Sequence, residues 1–275
     1  MNLIDLRRAA NTNKGTYGRL LEICGHYGMA GAAILCGQAA LRCGVGLLDV
    51  VCEPSIYPLL AAQLTEAVFT IGESDEAVLK ATALVVGCGM SEEQDDLVRR
   101  LYTETPLPAI FDASALNILG RHREWLKMHA GVRVLTPHPK EMSRLCGMSV
   151  DDIQTDREAI ARTFAKENQV IVVLKGHETI VASPKGDVYH NTSGNAGMAS
   201  GGTGDVLAGM IGSFLAQGKD AFKSACTAVY LHGLAGDRYV EQYSMTSLLA
   251  SDLIAELPAL FKAFETEQGH ESNAD

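Results

Sequence analysis

Short apolar runs alternate with amphipathic stretches from one end of this chain to the other. The apolar runs predict strands at Leu20–Cys24, Leu47–Cys52, Ala67–Thr70, Ala83–Cys88, Ala109–Phe111, Val132–Leu135 and Val170–Leu174. Apolar residues returning at helical spacing predict helices at Met29–Cys43, Ile56–Thr65, Asp75–Lys80, Glu92–Thr103, Glu141–Cys146 and Asp151–Glu167. Apolar strands separated by helices indicate a parallel sheet covered on both faces. Two further strands, Glu178–Ala182 and Asp187–His190, flank Pro184-Lys185-Gly186, which reads as a hairpin turn. Three helices close the chain, at Asp205–Ala216, Ala221–Tyr239 and Ser247–Phe264, and the polar tail Glu265–Asp275 is expected to fray. With no repeat and no Pro/Ser-rich linker, residues 1–275 read as a single α/β domain, the hairpin at one sheet edge.

Composition narrows the function classes. A net charge of −10 with no run of Lys or Arg argues against nucleic-acid partners. The start lacks a signal-peptide core and no apolar stretch is long enough for a bilayer, so a cytoplasmic protein without a membrane partner is expected. The seven cysteines are odd in number and contain no C-x-x-C, which predicts reduced thiols and no cysteine-based metal site. The eight histidines are scattered, so no metal ligand set is assigned.

The densest chemical signal is Asn195 to Ser213, NAGMASGGTGDVLAGMIGS. Glycines at 201, 202 and 204 lead to Asp205, after which Val206, Leu207, Met210, Ile211 and Phe214 recur at helical spacing. A glycine loop delivering a helix N-terminus offers unpaired amides and the positive end of the helix dipole to an anion. Asp205 at that point reads as a base beside a phosphate; the plainer reading is a helix cap, which needs no such density of glycine. Neither G-x-x-x-x-G-K-[ST] nor G-x-G-x-x-G after the first strand occurs, so this loop is the phosphate candidate.

Ligands of open α/β sheets bind beyond the C-terminal strand ends, where several unusual segments fall. Gly25-His26-Tyr27-Gly28, Gly87-Cys88-Gly89, Asp112, Thr136-Pro137-His138-Pro139 and Lys175-Gly176 all occupy such positions. Lys175 either points its ammonium into a ligand site or belongs to a routine turn. His138, held between two prolines, is read as a ligand contact. Asp112 either orients a metal–phosphate group or caps a helix. Lys14-Gly15-Thr16-Tyr17-Gly18 either touches phosphate or forms a solvated arm.

Together these segments resemble the ADP-dependent NAD(P)H-hydrate dehydratase family, a branch of the ribokinase-like fold. The resemblance rests on NKGTYG at 13–18, GMAGAAIL at 28–35, GCG at 87–89, DASALN at 112–117, TPHPKEM at 136–142, LKGHET at 174–179 and the glycine segment. It implies a ribokinase-like three-layer sandwich with a mostly parallel central sheet. It also implies repair of the S epimer of hydrated NADH or NADPH at the expense of ADP, giving AMP and phosphate. By the family pattern Asp205 is catalytic. Lys175, Gly176, His177, Glu178, Thr179 and Gly204 hold the adenine nucleotide, and Ala32, Gly89, His138 and Asp205 contact the hydrate. The resemblance further implies Mg²⁺ on the phosphates, a homo-oligomer (a tetramer) and a separate NAD(P)H-hydrate epimerase as functional partner, no epimerase domain being fused here.

The chain departs from the family pattern at several points. Asn13 stands where a histidine is common, and Cys24 and His26 replace Gly and Ser. Cys88 replaces a proline, Ser91 a glycine, Ser114 an aspartate and Lys140 a glycine. A small-molecule alcohol kinase of the same superfamily is the alternative enzyme, and a catalytically silent nucleotide sensor the alternative outside enzymology.

Overall fold

The computed structural model describes residues 3–72 and 74–271, with side-chain burial to residue 266. Its strands are β1 (Arg19–Ile23), β2 (Leu47–Cys52), β3 (Val68–Ile71), β4 (Ala83–Val86), β5 (Ala109–Phe111), β6 (Arg133–Leu135), β7 (Ile171–Leu174), β8 (Ile180–Ala182) and β9 (Val188–His190). They form one sheet in the order β3-β2-β1-β4-β5-β6-β7-β8-β9. Pairing is parallel from β3 to β7 and antiparallel across β7–β8 and β8–β9, the expected edge hairpin.

The helices are α1 (Ala30–Arg42), α2 (Tyr57–Gln63), α3 (Asp75–Lys80), α4 (Asp95–Thr103), α5 (Ser114–Arg121), α6 (Pro139–Cys146), α7 (Val150–Thr155), α8 (Arg157–Asn168), α9 (Thr203–Ala216), α10 (Ala221–Val240) and α11 (Ala250–Glu271). Strand side chains alternate between two cores, as period-two geometry requires. Leu20, Val85, Ile110, Val134 and Val173 join α1, α2 and α9–α11; Leu21, Leu84, Phe111, Leu135 and Val172 join α3–α8. The three-layer expectation holds. No described helix is long and apolar enough to cross a membrane.

Helix α9 is buried from Val206 to Ala216 and runs through the middle of the first core. Its glycines set how closely it packs. A Cβ on Gly209 would fall 2.1 Å from the Cys36 carbonyl oxygen of α1, and one on Gly212 would fall 2.3 Å from Val85 Cγ2 on β4. Larger residues there would push the helix off the sheet and move its N-terminus, where the glycine segment lies.

Several boundaries differ from the sequence expectation. β4 stops at Val86 rather than Cys88, because Gly87 turns the chain at φ 118°. The predicted helix Asp151–Glu167 is two helices, α7 and α8, broken at Asp156, whose carboxylate caps α8 by accepting from Ala159 N at 3.1 Å. Helix α5 is not among the predicted helices, although the capping alternative for Asp112 implied one: it follows Ala113 at φ 47°, and no side chain caps it. The capping role for Asp112 is therefore excluded. α9 starts at Thr203 behind Gly202, so Asp205 sits inside the first turn and is not the cap. α11 continues through residues 265–271, expected to fray; residues 272–275 lie outside the described residues.

Candidate active site

Three loops at the C-terminal ends of β5, β6 and β7 meet the start of α9 around a cavity of about 550 Å³. Its polar wall is made of Asp112, His138, Glu141, Lys175 and Asp205, and the segment from Met198 to Gly204 closes the other side. The parallel strands deliver their exits to one edge, so loops distant in sequence converge there.

Lys175 is the hub. Its ammonium, at the end of buried β7, donates to Asp112 Oδ1 at 2.7 Å and lies 3.9 Å from Glu141 Oε2. Burial works against its charge, but the Asp112 and Glu141 carboxylates more than offset that and raise its pKa. Asp112 reaches this position because Gly87 lets the β4 turn pass close: a Cβ there would overlap the Asp112 carbonyl oxygen at 2.0 Å. Cys88 Sγ contacts the other Asp112 oxygen at 3.9 Å.

Among the described residues, no cation forms an ion pair with Asp205. Its carboxylate lies within 4.8 Å of both the Cys88 sulfur and a carboxylate oxygen of Asp112. Burial, then the neighbouring Cys88 and Asp112, push its pKa up to about 9, with Lys175 pulling weakly the other way. These surroundings favour the protonated carboxyl, the same logic by which crowded carboxylates share a proton. The first intrahelical bond of α9 runs from Val206 N to Gly202 O at 3.1 Å. The amides of Thr203, Gly204 and Asp205 precede it, in residues that line the cavity, giving an anion-ready helix mouth. His232, buried and held neutral with its pKa lowered to about 4 by burial, supports that turn through a 2.9 Å bond to the Thr203 carbonyl. Since the carbonyl accepts, Nε2 carries the proton.

His138 performs the structural role and faces the cavity too. It caps α6: Glu141 N donates to His138 Nδ1 at 3.2 Å while His138 N donates to Glu141 Oε2 at 2.8 Å. Burial, with Lys175 nearby, lowers the histidine's pKa. Burial raises that of Glu141 to about 7, against the pull of Lys175. Glu141 and the Asp112–Lys175 pair were not singled out as a unit in the sequence. The signal available was the H-x-x-E spacing of 138 and 141, a capping box with histidine in the place of serine.

Gly176, His177, Glu178 and Thr179 form an exposed turn beside Lys175, with Gly176 at φ 142° and Glu178 at φ 52°. Arg157 of α8 braces it, donating to the carbonyls of His177, Leu174 (3.0 Å) and Lys175 (3.3 Å). No sequence motif marks Arg157. Thr179 Oγ1 closes the turn on the Gly176 carbonyl at 2.9 Å.

The loops after β1 and β4 are tied to one another and do not line this cavity: Gly25 N donates to Cys88 O at 2.8 Å and His26 Nδ1 lies 2.7 Å from Gly89 O. Ala32 and Gly89 pack together there, both buried, a Cβ on Gly89 falling 2.6 Å from Ala32 Cβ. Residues 14–18 form a short turn beside the amino ends of β1 and β2 (Gly46 N to Tyr17 O, 3.0 Å), at the sheet edge opposite the cavity. The phosphate role considered for them does not fit.

Comparison with known proteins agrees with this geometry. The family model described as NAD(P)H-hydrate dehydratase matches residues 20–259. An ADP-dependent (S)-NAD(P)H-hydrate dehydratase of Neisseria meningitidis is 39% identical over 90% of this chain and 86% of its own. A Moorella thermoacetica bifunctional NAD(P)H-hydrate repair enzyme is 38% identical over 95% of this chain, which spans about half (52%) of that longer protein. Among solved structures, an ADP/ATP-dependent NAD(P)H-hydrate dehydratase of Bacillus subtilis, co-crystallised with ATP/Mg²⁺, superposes with a TM-score of 0.86 at 34% identity, covering 96% of this chain and 95% of that one. On sequence and fold alike, the chain belongs to the NAD(P)H-hydrate dehydratase family.

Proposed function

We infer that this chain restores hydrated NADH or NADPH, as the S epimer, to the reduced dinucleotide while converting ADP to AMP and phosphate. The observation that carries the reading is that Asp205, in the first turn of α9, and Lys175 line one cavity. The anion-ready mouth suits a transferring phosphoryl group, and the acid–base group beside it suits the hydroxyl that receives the group.

The reaction divides into two balanced steps. Asp205 takes the proton of the hydrate's hydroxyl as that oxygen bonds to the terminal phosphorus of ADP and AMP departs. The carbon–oxygen bond then breaks with its electron pair leaving on phosphate, and the adjacent ring carbon loses a proton to solvent to complete the double bond. Lys175 and the amides of residues 203–205 hold the charge on the phosphoryl oxygens. Asp205 must be ionised to act, the form that the Lys175 ammonium favours. Lys175 through Thr179, with Gly204, form the nucleotide subsite. His138 and Asp205 face the hydrate, and Ala32 and Gly89, packed together outside the cavity lining, are assigned to the part of the hydrate that extends beyond it.

The donor set fits Mg²⁺. Asp112 and Asp205 offer hard carboxylate oxygens, and such an ion is ordinarily held by one or two carboxylates plus substrate phosphates. Bound there, it would supply charge neutralisation on the phosphates. Assembly as a homo-oligomer and cooperation with a separate epimerase complete the proposal. The test is the near-ultraviolet absorbance of reduced nicotinamide, followed in purified protein mixed with hydrated NADH. Its recovery only when ADP is supplied supports the reading; a stable phosphorylated alcohol as end product would assign the chain to the alcohol kinases of this fold instead.

A further inference from the structure

Three cysteines far apart in sequence meet behind the cavity floor. Cys24 follows β1, Cys36 lies on α1 and Cys88 follows β4; all are buried, and their sulfurs lie within 4.8 Å of one another. The absence of a C-x-x-C spacing argued against a cysteine site, but that argument covers only ligands from one loop. Here the fold supplies them from three elements. We propose that Cys24, Cys36 and Cys88 form a binding site for one thiophilic divalent cation of the zinc–cadmium class.

The geometry is close to what such an ion needs. With metal–sulfur bonds of about 2.3 Å, three thiolates sit roughly 3.8–4.0 Å apart, so the sulfurs need to close by less than about an ångström. Soft thiolates select soft ions over Mg²⁺. A second feature marks the place as polar. Glu22, on the same face of β1 as Cys24, is fully buried, and neither carboxylate oxygen has a hydrogen-bond partner. Its Oε2 lies against Gly37, next to Cys36, where a Cβ would meet it at 2.9 Å.

Binding displaces the thiol protons to solvent, up to one per sulfur, and leaves a complex of one negative charge near the Lys175 ammonium. Cys88 Sγ lies 3.9 Å from Asp112 Oδ2, and Asp112 lines the cavity, so an ion entering from that side would pass this carboxylate. The site therefore lies one side chain behind the carboxylates of the proposed reaction, but its existence does not depend on that reaction.

The experiment is titration of the reduced, full-length protein with Cd²⁺, read by thiolate-to-cadmium charge-transfer absorbance. One equivalent per chain is expected, and saturating ADP should slow loading several-fold. The band should be lost in Cys36→Ala and again in Cys24→Ala, each checked for native circular dichroism, and kept in Cys43→Ala and Cys146→Ala, whose sulfurs lie outside the cluster. A band that survives both cluster substitutions, disappears with Cys146→Ala, or never forms in the reduced wild type overturns the proposal.

Discussion

Replacing Lys175 by Met tests how the cavity holds its charge. The side chain is similar in length, so the perturbation is chiefly loss of the ammonium. That ammonium is the cation in contact with Asp112, whose side chain is 2% exposed, and it lies 3.9 Å from Glu141, 6% exposed. Breaking a buried pair by removing one member costs about 3–5 kcal/mol, because the other charge stays behind uncompensated. A chain of this size shifts its melting temperature by roughly 2–4 °C per kcal/mol, so a fall of about 6–20 °C is expected at pH 8. The loss should shrink toward pH 5, where protonation relieves the stranded carboxylates. The double variant Lys175→Met/Asp112→Asn removes both charges and should recover at least about 1 kcal/mol over the single one, since pairs removed together cost less than pairs broken. Urea unfolding of the wild type and the variants at both pH values gives the numbers. A Lys175→Met protein as stable as wild type at pH 8, or an Asp112→Asn change that adds to the loss, would refute this electrostatic account.

Two further predictions separate stability from function. Gly204→Ala should leave stability equal or raised by up to about 1 kcal/mol, since alanine outranks glycine within a helix. Its Cβ would lie 3.3 Å from Lys175 Nζ and 3.7 Å from Asp112 Oδ2, so the added methyl should displace the phosphoryl group and lower ADP-dependent turnover by about 10²-fold, the scale of a misplacement near one ångström; unchanged kinetics would remove Gly204 from the nucleotide subsite. Glu22 is held protonated by burial, so the folded state binds the extra proton and stability declines as pH rises above the unfolded value near 4.5. Glu22→Gln should match wild type near pH 4 and gain on it by up to about 1.4 kcal/mol per pH unit above that, as measured by denaturant melts; parallel stability–pH curves would show that Glu22 is not the titrating group.

Much of this was legible in the sequence because buried parallel strands are apolar throughout and their exits carry the unusual residues. Lys175, His138, Gly204 and Asp205 could be named since each stands at a strand exit or in the glycine segment, and the structure lines one cavity with all four. Helix α5 is not among the predicted helices because Ala113 enters it in a left-handed conformation with no capping side chain. The break at Asp156 was hidden by continuous amphipathic spacing on both sides. Ala32 and Gly89 read as ligand contacts from their motifs, whereas packing places them against each other outside the cavity lining. The cysteine cluster and the Arg157 brace depend on contacts between distant segments, which spacing along a chain cannot encode.

The most direct measurement is turnover of the hydrated dinucleotide by Asp205→Asn beside its affinity for ADP. Loss of the proton acceptor from an otherwise intact cavity should cut turnover by about 10²–10⁴ and leave ADP binding within a few-fold of wild type. Turnover close to wild type in that variant would contradict the assignment of the reaction to this carboxyl.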